Sequence, residues 1–201
     1  MRVLPPSEFA GQLHLEIVFL WEHDRWSHQW LLVDPQRPAD AASQLVLTSC
    51  EGDSQDAFPA SPPLQQIHQQ ELGGGQTVMG VGMAGRSHWS AAFAPQPEQP
   101  DAILADLACL RKTATEEVAD SPLGSTYRCG PDWSFSEVGS RLLLKGGWQT
   151  LEVRVQPKQT EWSLSVPGML RLSPANISTE PNQPTCWSYQ LRLSSGDDSD
   201  A

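Results

Sequence analysis

Apolar residues recur at every second position over long stretches of the chain, the spacing that places successive side chains on opposite faces of a β-strand. In residues 13–21 the shared face is Leu13, Leu15, Ile17, Phe19 and Trp21; in residues 26–33 it is Trp26, His28, Trp30 and Leu32. The polar residues Glu22, His23, Asp24 and Arg25 between them predict a β-hairpin with a four-residue connection. Residues 44–50 read as a third strand. Residues 76–84 and 87–93 form a further pair joined at Gly85 and Arg86. Residues 94–101 carry Pro95, Pro97 and Pro100 and predict a loop.

Residues 101–112 suit a helix by their Ala and Leu content, yet Ile103, Leu107 and Cys109 also alternate; strand-like neighbours favour a strand. Residues 113–123 are polar and expected to be mobile. Strands are then predicted at residues 125–129, 141–145, 151–155, 162–166, 169–172 and 187–193. Gly146, Gly147, Pro167 and Gly168 supply turn chemistry between them. Residues 174–185 read as a long loop. The period changes once. Leu64, Ile67 and Leu72 fall near one helical face, with Ser61 as cap, Pro62 and Pro63 in the first turn and Gly73 to Gly75 as terminator, so a short helix is predicted over 64–72. The sum is an all-β fold, mainly an antiparallel sandwich or partly open barrel with one or two short helices. It forms one domain over residues 1–193, followed by an acidic, disordered tail at 194–201.

Composition narrows the function classes. A chain of 201 residues with 39% hydrophobic and 18% charged residues can bury a substantial core. A net charge of -11 argues against nucleic acid, whose phosphates require clustered Lys and Arg. Residues 1–11 contain Pro5, Pro6 and Glu8 and no apolar run, and the longest apolar stretch, residues 17–21, is too short to span a bilayer. A cytoplasmic location without membrane contact is expected. Cys50, Cys109, Cys129 and Cys186 form no C-x-x-C pair, which fits reduced thiols. The glycosylation pattern at Asn176 has no consequence without secretion.

Gly80, Gly82 and Gly85 match G-x-G-x-x-G, but residues 86–94 leave no room for the helix a dinucleotide site needs. Close packing of a strand is the expected role, and no cofactor is implied. His14, His23, His28, His68 and His88 show no metal-ligand spacing. His23 and His28 bracket the first hairpin, where titration rather than metal binding is expected, and no metal is implied. The carboxylate pairs Glu116 with Glu117 and Asp197 with Asp198 lie in polar stretches that do not separate their acidities. Trp21, Trp26 and Trp30 supply core volume if buried, or a stacking platform if exposed; core is the expected role.

The densest polar and aromatic set is Arg86, Ser87, His88, Trp89 and Ser90. Three blocks, residues 62–65, 82–90 and 123–128, resemble segments of uncharacterised bacterial proteins of planctomycete type. The resemblance extends from the first hairpin to Arg128 and implies a shared surface at residues 86–90 and 126–128, without an activity. The reading is a non-enzymatic binding or interaction domain. Its ligand surface comprises Arg86 to pair an anion or carbonyl, His88 to hydrogen-bond and Trp89 to stack, with Tyr127 and Arg128 beside them. The partner is a protein or a small neutral or anionic ligand, and an edge strand offers a route to a homodimer. The alternative is a small hydrolase using His88 as base with Ser87 or Ser90, for which Asp24, Asp53, Asp101 and Asp132 are all conceivable orienting acids.

Overall fold

The computed structural model describes residues 1–194 apart from 10, 40, 54, 74, 98, 113–122, 148 and 179. The acidic tail and the polar stretch expected at 113–123 lie almost wholly outside these residues. Fifteen strands are present among the described residues: β1 (Arg2–Val3), β2 (His14–Glu22), β3 (Arg25–Val33), β4 (Ser43–Ser49), β5 (Gln66–Leu72), β6 (Gly75–Ala84), β7 (Ser87–Gln96), β8 (Gln99–Arg111), β9 (Ser125–Cys129), β10 (Ser134–Val138), β11 (Arg141–Lys145), β12 (Thr150–Val155), β13 (Thr160–Ser163), β14 (Met169–Pro174) and β15 (Pro184–Leu193). They form two antiparallel sheets, one of seven strands in the order β1-β2-β3-β4-β9-β14-β13 and one of eight in the order β10-β11-β12-β15-β8-β7-β6-β5. The sheets do not close into a barrel, so the sandwich is the architecture adopted.

The alternating residues of both sheets meet in one core. Leu15, Ile17, Phe19, Trp30 and Leu32 from β2 and β3 face Val78, Trp89, Phe93, Ile103, Leu107 and Trp187 from the eight-stranded sheet. Each such side chain, fully removed from water, contributes about 1.5–3 kcal/mol against the entropy of ordering the chain. Trp30 is wholly enclosed, whereas Trp21 at the end of β2 is 52% exposed and Trp26 packs edge-on against it at 5.4 Å. The tryptophan row is therefore core at one end and surface at the other.

Two seams tie the sheets along one side. Leu4 and Gln76 exchange backbone hydrogen bonds, and Leu64 accepts from Trp26 of β3 while the next residue, Gln65, donates to Val81 of β6. Residues 62–65 thus cross from one sheet to the other. Pro63 lies directly over β6, and a Cβ at Gly82 would sit 1.7 Å from its carbonyl oxygen. The glycine pattern at residues 80–85 leads into β7, an antiparallel strand, and its middle glycine exists to let this crossing pass.

Four expectations need correction. Residues 64–72 form no helix: β5 pairs with β6 from Gln66 against Val81 to Leu72 against Gly75, because the prolines lead into extended backbone and the sheet edge supplies partners for its amides. Residues 94–101 are no loop: β7 continues to Gln96 and β8 starts at Gln99. Pro95 is accommodated because it lies beyond the last β6–β7 pair, Val78 with Phe93, so its missing N–H costs no bond on that side. The first hairpin turns over two residues, His23 and Asp24, with His23 at φ 57°, since Glu22 and Arg25 still pair. The strand expected at 162–166 begins two residues earlier as β13. The strands β1 and β10 were not evident from alternation. The ambiguous residues 101–112 are the long strand β8, paired on both sides.

Candidate functional site

The outer face of the eight-stranded sheet carries two adjoining concavities. Their shape follows from register. Three cross-strand rows stand side by side on that face: Met83, His88, Leu110 and Pro184; then Gln66, Val81, Ser90, Ala108 and Cys186; then His68, Met79, Ala92, Asp106 and Ser188. The centre of the second and third rows is built from the short side chains Ser90, Ala92 and Ala108. Long side chains at Met79, Met83, His88 and Leu110 border it. The result is a trough with two contiguous cavities of about 540 and 530 Å³ that share Val81, Ser90 and Ala108. Val81 and Met83 expose half of their surface there, an apolar area open to solvent.

Charge is sparse in the trough. Asp106 is the carboxylate among its lining residues, and no Lys or Arg lines either cavity. Two polar atoms on this surface are buried without a hydrogen-bond partner: His88 Nε2 at one end and Ser188 Oγ at the other. Ser188 is 5% exposed, and its backbone N–H and C=O are both engaged by Thr160 Oγ1, at 2.9 and 2.8 Å, which fixes the residue while leaving its hydroxyl unpaired.

The five residues expected to form one surface separate in the fold. His88 lines the trough and Arg86 is exposed at the adjoining turn after Gly85, whose φ of 55° suits glycine. Trp89 points the other way, is 2% exposed and meets Trp187 edge-on at 6.1 Å. Tyr127 is also in the core. Its hydroxyl hydrogen-bonds His28 Nε2 at 2.8 Å and the hydroxyl of Tyr189, and nearby Trp187 Nε1 donates to Ser125 Oγ at 3.1 Å. Arg128 is exposed on the seven-stranded sheet. Ser87 is buried on the face of β7 opposite His88, while Ser90 shares its face, two residues away. Asp24 is committed to Arg25 at 2.8 Å.

Titratable groups elsewhere are held by structural partners. Burial pushes the His28 imidazole down to about 3 and the Tyr127 phenol well above its usual range, so both stay neutral in the core. A third cavity of about 590 Å³ is lined by His14, Glu16 and Glu71. His14 faces the Gln12 carbonyl at 2.7 Å through Nδ1 and Glu16 Oε1 at 3.1 Å through Nε2. Burial opposes the charge, but the Glu16 carboxylate and the Gln12 carbonyl outweigh it and raise the imidazole pKa. Both ring nitrogens are therefore engaged by neighbouring groups, which leaves none for a substrate. His23 sits at the hairpin tip and His28 in the core, so they share no ligand, and among the described residues no group of three or more His, Cys, Asp or Glu is placed to hold a metal.

His88 was legible from the density of polar and aromatic residues around it. Ser188, Asp106 and Ala108 were not, because the pairing of β8 with β15 brings them to the trough from distant parts of the chain. No protein-family model matches the sequence, and no curated protein or solved structure matches it either.

Proposed function

We propose that the protein is a non-enzymatic binding domain that receives a small, largely apolar ligand in the trough across β5, β6, β7, β8 and β15. The carrying observation is the continuous concavity in which Val81, Ser90 and Ala108 belong to both cavities, floored by short side chains on an otherwise pleated surface. The absence of Lys and Arg from its lining, in a chain of net charge -11, favours a neutral ligand over an anionic one. The separation of Ser87 from His88 and the missing partner on His88 Nε2 favour binding over hydrolysis.

Filling the trough tests the reading. Ala108→Phe places a ring at its centre without touching the core, and Ser90→Leu does so from the neighbouring strand. Nile red, a neutral apolar dye, is expected to bind the unaltered protein with enhanced fluorescence and to lose at least about tenfold in affinity in either variant, a change of about 1.4 kcal/mol. Melting temperatures should stay within a few degrees. Equal dye binding by all three folded proteins would refute the site.

A further inference from the structure

The two unpaired polar atoms of the trough are disposed along its diagonal, and their spacing carries information about the ligand. His88 lies across from Leu110 and Pro184 in one row, and Ser188 lies four residues beyond Pro184 on β15. Two strand separations of about 4.8 Å and four residues at about 3.4 Å each place the two backbone positions roughly 17 Å apart. The one row between them presents Ser90, Ala108 and Cys186 on β7, β8 and β15, so the path joining the ends is lined by short side chains without charge.

A buried hydroxyl or imidazole nitrogen without a partner forfeits a hydrogen bond, and a bound group that restores it gains affinity beyond hydrophobic contact. Ser188 is nine-tenths buried, lines the cavity and keeps its hydroxyl unpaired; Asp106 stands directly across from it on β8. A carboxylate beside a hydroxyl accepts, so this end suits a donor. The imidazole at the other end donates or accepts according to its tautomer. Resting on the trough as the binding site, we infer that its ligand is an uncharged, elongated, lipid-like molecule with a hydrogen-bonding group near each end, the one at Asp106 and Ser188 being a hydroxyl or similar donor.

The inference is tested with straight-chain alcohols and the corresponding diols, measured by displacement of Nile red. On hydrophobic grounds alone a second hydroxyl weakens binding at every chain length. The spacing predicts otherwise for the long chain only. Dodecanediol should bind about three- to tenfold tighter than dodecanol, the gain of one or two hydrogen bonds, whereas octanediol should bind no tighter than octanol. Ser188→Ala, which removes an unpaired atom and should not harm the fold, is expected to bring dodecanediol down to the affinity of dodecanol. His88→Leu should erase it from the other end. A dodecanediol no tighter than dodecanol, or an advantage that survives Ser188→Ala, overturns the two-ended ligand. If neither compound displaces the dye, or if Ala108→Phe leaves both affinities intact, the trough itself is not the site and the inference falls with it.

Discussion

Glu51 and His28 are joined through Ser49, whose hydroxyl accepts from the His28 backbone N–H and donates to the Glu51 carboxyl, and they answer pH in opposite senses. Burial raises the Glu51 carboxyl from 4.5 to about 7, against the opposing pull of the Ser49 hydroxyl and of Arg25, so the folded protein holds a proton that the unfolded chain has lost. Stability from this group is complete below 4.5 and declines as pH rises towards 7. His28 is the reverse. Its folded pKa is depressed from 6.5 to about 3, so the unfolded chain binds the extra proton and stability is lost as pH falls below 6.5. Between 4.5 and 6.5 the two slopes oppose each other. Melting curves across that window should therefore be flatter for the unaltered protein than for Glu51→Gln, whose melting temperature is expected to climb with pH. An unchanged profile in Glu51→Gln would show that the carboxyl titrates normally in the fold.

At the level of elements, the crossing of residues 62–65 over β6 is the most demanding piece of packing, since it joins the two sheets through Leu64 and Gln65. Gly82→Ala would drive a methyl group into the Pro63 carbonyl, and we expect a loss of about 3 kcal/mol in stability. Gly147→Ala, where nothing lies within 4 Å of the added carbon, should cost little, and denaturant midpoints for the pair check the contrast. Equal midpoints would mean that the crossing readily shifts. On the opposite half of the same sheet, Glu152 accepts from Arg141, Arg154 and Arg192, binding β11, β12 and β15 across their outer side. Strands whose alternation is clean, such as β2, β3, β9 and β11, were readable almost to the residue. β5 was not, because its Gln-rich edge carries little apolar pattern and its conformation comes from pairing with β6. The continuation of β7 through Pro95 was equally hidden, since a proline is tolerated there only because pairing with β6 has already stopped at Val78 and Phe93. The trough was the least legible feature. Alternation reports which residues share a face, but the meeting of Ser90 with Ala108, and of Asp106 with Ser188, is a matter of register between strands.

At the scale of the molecule, one face of the eight-stranded sheet is spent on the core and the other is open to solvent over the trough. The eight-stranded sheet is the broader of the two, and its outer face combines apolar area, short side chains and two unpaired polar atoms in one place. Among the described residues no helix is long and apolar enough to cross a membrane. Cys186 reports on the trough directly. It is exposed beside Ala108, whereas burial raises the Cys50 thiol and pushes those of Cys109 and Cys129 up to about 11, which suppresses their reactive thiolates. The most direct measurement is the rate at which N-ethylmaleimide alkylates Cys186, followed by peptide mass spectrometry with and without saturating Nile red. If the trough is the binding site, Cys186 is labelled first in the free protein and several-fold more slowly with the dye bound; an unchanged rate with the dye bound would contradict it.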